Sequence, residues 1–259
     1  MDSIHFGGLI TSRERIGKII NSFDLGFSDS YKDENVRQLT FQGKLEKLEQ
    51  ATELMTFEEY MNYSIFNKKG ANHPTAEIYA IDFPSDFRAS VYLLLGGYYR
   101  QAILCLRNWL EIRLTGVYFG FINPDHKQYE DWKKGKKRAP IVQGLITRLF
   151  SRAEFHKIDN EVGLRERLTN LMAELSAFTH GSILEQYDLQ SKTDNVPRFN
   201  PQSVDLWFDF ALRVFRELVF CYFVAYGQDA FEMGKEDLEI LHSYLPVTYQ
   251  QELQKSGIL

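Results

Sequence analysis

Cysteine is almost missing from this chain: there are two in 259 residues, Cys105 and Cys221. They lie far apart, each inside an apolar run. That pattern reads as buried thiols of a cytoplasmic protein, not as a disulfide framework or a metal pair. Proline is also scarce, with seven residues, so helices meet few breaks. The greasiest later run, Leu218 to Tyr226, is too short to span a bilayer, and Asp209, Arg213, Arg216 and Glu217 interrupt its approach. The first residues, MDSIHFGGLITSRERIGK, lack the basic start and apolar core of a secretory signal. The expected location is therefore the cytoplasm, with no membrane segment. A net charge of −5 argues against coating nucleic acid with the whole surface, but allows a local basic patch.

The common catalytic signatures are absent too. No glycine-rich phosphate loop follows a strand, because Gly96-Gly97 falls inside a helical pattern. There is no HExxH, CxxC or GxSxG. The six histidines (His5, His73, His126, His156, His180 and His242) include no pair at helical ligand spacing. Neither a metal nor a cofactor is expected.

Aromatic residues are plentiful: 20 Phe, 14 Tyr and 3 Trp. The chain is organised around residues 91–119, VYLLLGGYYRQAILCLRNWLEIRLTGVYF. Wound as a helix, this stretch is apolar on nearly every face. One strip differs. Arg100, Arg107 and Glu111 fall within roughly 20° of one line at 3.6 residues per turn. Two arginines and a glutamate on a helix this apolar must be paired or must line a cleft.

In chain order, a short helix is expected around Ile16, Ile19, Ile20 and Phe23, capped by Thr11 or Ser12. A loop at 26–32 and a long helix from Asp33 to about Phe66 follow. Residues 67–82 read as a loop with a brief extended piece at EIYAID, and His73, before Pro74, reads as a turn residue. Ser85 caps the central helix, which is expected to reach Gly120 without a break. Residues 123–140 read as a polar connection. Pro140 opens the next helix, with Ile141, Leu145, Ile146 and Leu149 on its apolar face. A further helix spans about 160–179 and stops at Gly181. In it Thr169, Ala173 and Ser176 are small or hydroxylated, which lets another backbone come close and leaves His180 facing a cleft. After a polar stretch at 182–202, Ser203 or Asp205 starts an aromatic-rich helix to about Tyr226, a candidate dimer face. Two short helices flank Pro246. The fold expected is all-α: an up-and-down helical bundle with an N-terminal helical extension (1–80), a main bundle (81–259) and short C-terminal helices.

Two constellations carry the functional expectation. The first is Arg100, Arg107 and Glu111 with His180. Here the arginines hold a phosphate, His180 moves a proton and Glu111 orients an arginine. Alternatively, Arg107 and Glu111 form a buried ion pair that sets helix register, and His180 satisfies helix-end carbonyls. The second is the cluster Lys133, Lys134, Lys136, Lys137 and Arg138 beside Trp132. It suits a nucleic-acid backbone with a stacked base, or else a solvated loop whose Trp packs onto the body.

The segments GGYYRQAILCLRNWLEIRLTGVYF, YEDWKKGKKRAPIVQGLITRLF and LMAELSAFTHGS resemble the HEPN-like helical superfamily. The resemblance covers about residues 85–226. It rests on helix order, the Arg-x-x-x-Glu step at Arg107 and Glu111, and the Leu-Ser-x-x-x-His-Gly helix end at 175–181. It implies a four-helix bundle, commonly dimeric, of a kind found in bacterial toxin–antitoxin and phage-defence loci. Active members are metal-independent ribonucleases with an Arg-x(4–6)-His motif. The nearest pair here, Arg152 and His156, has three residues between. Other members resemble scaffolds or nucleotide-binding modules. The expected partners are a second copy of the chain, an RNA or nucleotide ligand, and a protein from the same locus.

Overall fold

A computed structural model describes residues 45–82, 85–123, 126–180 and 200–257, and in it the chain is an all-α helical bundle. Eleven α-helices and no strand occur among the described residues. They are α1 (Leu45–Lys69), α2 (Pro74–Asp82), α3 (Ser85–Leu95), α4 (Tyr99–Val117), α5 (His126–Lys133), α6 (Val142–Leu149), α7 (Ala153–Val162), α8 (Leu164–His180), α9 (Pro201–Tyr226), α10 (Lys235–Tyr244) and α11 (Val247–Lys255). The expected helix at 11–23, the loop at 26–32, the start at Asp33, the Gly181 stop and the stretch at 182–199 lie outside the described residues.

Helix α4 is the centre of the bundle. It packs against α2, α3, α8 and α9, while α9 also packs on α1. Ala102, Ile103, Leu106, Leu110 and Leu114 of α4 are fully buried, as are Trp207, Phe208, Phe215 and Leu218 of α9. Burying a large apolar side chain stabilises the fold by about 1.5–3 kcal/mol each, so this interface dominates the core. Trp109 meets Phe215 edge-on at 4.4 Å, and Phe87 of α3 closes the cluster at 5.5 Å from Trp109 and 5.2 Å from Phe215. Cys221 is buried, Cys105 is half-buried, and both are thiols, as expected.

Six expectations need correction. Ile141, expected on the apolar face after Pro140, precedes α6 and is 78% exposed. The helix expected to start at Ser203 or Asp205 starts at Pro201. The central helix is broken at Gly96-Gly97. Gly97 adopts φ 76°, and the Tyr98 N–H donates back to the Leu93 carbonyl at 2.8 Å, a left-handed helix stop. The chain then folds α4 onto α3, where Ser90 Oγ donates to the Ala102 carbonyl and accepts from Trp207 Nε1. EIYAID is helical, not extended: it is the end of α2, which has Pro74 at its first position and buries Thr75, Ala76 and Ile78. The polar connection contains α5, because Tyr129 and Trp132, three residues apart, both pack tilted against the Phe119 ring. The helix expected at about 160–179 is α8, which starts at Leu164; α7 before it, ended by Gly163 at φ 65°, is an additional helix.

The ends of the later helices follow sequence rules. Asn200 caps α9 by accepting from the Ser203 N–H, with Pro201 at the first turn. The two short helices flank Pro246 as expected. Between α4 and α5 the chain makes a π-turn, Tyr118–Ile122, in which the Asn123 N–H donates to the Tyr118 carbonyl. Gly120 occupies that turn against His73 and Tyr226.

Candidate functional site

The polar strip of α4 faces α8, as its composition implied. Arg100 Nε donates to the Phe178 carbonyl at 2.8 Å, and Arg107 Nε donates to Ser176 Oγ at 3.1 Å. Arg107 also lies 3.4 Å from Glu111 across one helical turn. Arg100 therefore sits at the C-terminal end of α8, where exposed carbonyls favour a cation. The Arg107–Glu111 pair is not the buried pair expected: its side chains are 26% and 36% exposed. Of the small residues on α8, Ser176 meets α4, whereas Ala173 is exposed. His180 is the last residue of α8, two positions beyond Phe178. Its side chain lies outside the described residues.

The basic–aromatic cluster is largely compensated by acids. Lys133 Nζ is 2.6 Å from Glu77 and 3.1 Å from Glu130, Lys134 is 2.8 Å from Glu130, and Lys137 is 3.7 Å from Asp131. Lys136 and Arg138 are exposed. Trp132 is half-buried, with its ring 5.4 Å from Phe119 and 5.9 Å from Tyr129.

The most deeply buried charges were not singled out from the sequence. Arg113 of α4 and Glu58 of α1 pair at 2.9 Å with side chains 2% exposed. The Tyr222 hydroxyl donates to Glu58, and the Arg113 guanidinium lies 4.8 Å from the Tyr79 ring centre. Burial, first, and Glu58, second, push the Tyr222 phenol well above its ordinary value. The signal was in the spacing. Arg113 interrupts the apolar series Leu106, Leu110, Val117, and Glu58 interrupts Leu54, Met61, Ile65.

A second buried group joins α8, α9 and α11. The Tyr249 hydroxyl donates to Glu217, while its ring stacks on Phe220 at 3.8 Å and lies under Arg167. Burial raises the Glu217 carboxyl above the usual carboxylate range, opposed by Tyr249 and by the nearby Arg167, Arg213 and Arg216. Arg213 is held by Glu174 in a two-pronged pair at 2.7 and 2.8 Å.

Between the α1–α2 turn and α5 lies a cavity of about 590 Å³, lined by Lys69, Asn72, His73, Glu77, Tyr129, Glu130 and Lys133 among others. His73 is a turn residue, as its place before Pro74 implied, with its ring edge-on to Tyr226 at 5.7 Å. Among the described residues no three His, Cys, Asp or Glu side chains are grouped to hold a metal ion. No helix among them is long and apolar enough to cross a membrane.

The fold defines the class, an all-α helical bundle. No family model, curated protein or solved structure matches the chain.

Proposed function

We propose that the chain is a HEPN-like helical module of a bacterial defence or toxin–antitoxin system, acting in the cytoplasm by binding a partner protein instead of cutting RNA. The observation that supports this reading is the engagement of the α4 arginines. Arg107 is held from one side by Ser176 and from the other by Glu111, and Arg100 bonds a helix-end carbonyl through Nε. Arginines tied into their own bundle in this way act first as helix-packing groups. A second copy of the chain is the natural first partner for a HEPN-like bundle, but α9 is not its docking face: Trp207, Phe210, Phe215 and Phe220 are buried within one protomer.

One observation favours the ribonuclease reading. Arg100 is tied to Phe178, two residues before His180, so both α4 arginines lie at the His180-bearing end of α8. The test is cleavage of a labelled RNA pool in EDTA by wild type, His180→Ala and Arg107→Ala. The binding-module reading expects no cleavage by any of them. Cleavage by wild type that is lost in His180→Ala would overturn it and make the chain a metal-independent nuclease.

A further inference from the structure

The cavity beside α5 has no role in that reading, and its chemistry is specific. Its two lining lysines are both neutralised: Lys69 lies 2.8 Å from Asp229, and Lys133 is held by Glu77 and Glu130. A phosphate placed there would face Glu77 and Glu130 with no uncommitted cation among the lining lysines, which argues against a nucleotide. An ammonium is in the opposite position, as Lys133 demonstrates. Its Nζ sits between two carboxylates at 2.6 and 3.1 Å and lies 5.4 Å from the Tyr129 ring centre. Two carboxylates and an aromatic face are the elements that recognise an amine.

Two further observations point to a ligand. Tyr129 lines the cavity and is 1% exposed, and its buried hydroxyl lies beside Glu77 without forming a well-aligned hydrogen bond. A buried hydroxyl of this kind calls for a partner. The volume, about 590 Å³, is also far larger than one ammonium needs and falls in the range of small-molecule sites. Lys133 approaches from the rim with a third of its side chain exposed, so its stem is able to swing out.

We infer that this cavity is a binding site for small aliphatic primary amines, and that Lys133 is a tethered occupant which the ligand displaces from Glu77 and Glu130. The displaced ammonium moves into water. The ligand ammonium takes its place between the carboxylates, and its methylene chain lies over the Tyr129 ring.

The test is calorimetric titration of the full chain with 1-aminobutane at fixed ionic strength, with 1-butanol as the uncharged control. Saturable binding of the amine alone is expected. Lys133→Met removes the competitor and tightens binding roughly tenfold, and Glu77→Gln weakens it by a similar factor. Melting curves check that each variant folds, and Glu130→Gln replaces Glu77→Gln if the latter does not. No binding to wild type or to Lys133→Met overturns the inference. So does equal binding of the alcohol, or unchanged affinity in a folded carboxamide variant, which would leave only general attraction to an acidic surface.

Discussion

Arg113 Nε lies 2.9 Å from Glu58 Oε1, and the pair ties the central helix to α1 with almost no exposure to water. Removing one member leaves the other charged and buried, at a cost of about 3–5 kcal/mol. Arg113→Met or Glu58→Gln alone should therefore lower the melting temperature by roughly 10 °C or more for a chain of this size. The double variant Glu58→Leu with Arg113→Met should recover most of that loss, because no charge is stranded. Circular dichroism melts of the three proteins check this. A double variant no better than either single one would show that the pair is not what the singles disturb.

Arg107→Ala should be far milder. The pair with Glu111 is partly exposed and the Ser176 bond is a single contact. The expected loss is about 1 kcal/mol, or a few degrees of melting temperature. A loss as large as that of Arg113→Met would mean that Arg107 is held more tightly than its exposure implies.

Gly120 is required by space. A Cβ added there would lie 2.6 Å from His73 Cε1 and 2.7 Å from the Tyr226 hydroxyl. Gly120→Ala should cost about 2 kcal/mol through the forced shift of α2 or α9. The urea midpoint is the direct measure, and an unchanged midpoint would contradict the packing described at the π-turn.

Glu217 gives a pH dependence with a defined sign. Burial raises its pKa, so the folded chain keeps this proton above the ordinary carboxyl value of 4.5. The folded state then binds more protons than the unfolded one, and its stability falls as pH rises from that value through the folded pKa. Glu217→Gln removes this fall while keeping an acceptor for the Tyr249 hydroxyl. The urea-midpoint advantage of Glu217→Gln over wild type should grow between about pH 4 and about pH 8. An advantage that shrinks over that range would reverse the assignment.

Much of the architecture was legible in the chain. The apolar density of residues 91–119 and the break at Pro246 follow local rules, and the all-α class follows from them, although the cap at Asn200 places the start of α9 ahead of the Ser203 or Asp205 expected. The strip at Arg100 and Arg107 was legible as well, since polar residues on an apolar helix must meet something. Its facing partner was inferred from the small side of α8, and Ser176 is indeed there. The breaks at Gly97 and Gly163 were harder to read. A glycine inside a helical pattern is tolerated as often as it ends one, and the choice depends on whether the left-handed turn brings two apolar faces together.

By itself the sequence determined the helical class, the residues able to form a core and the register of each apolar stripe, because these rest on spacing along one chain. Tertiary structure alone decided which charges pair from one helix to another. Glu58 and Arg113 are 55 positions apart and Glu77 and Lys133 are 56, and no local periodicity links positions so distant. Only the packing of α1 and α2 around α4 and α5 strips water from one pair and leaves the other at the mouth of a cavity. The difference in desolvation makes the first a lock in the core and the second an ammonium held where a ligand can replace it.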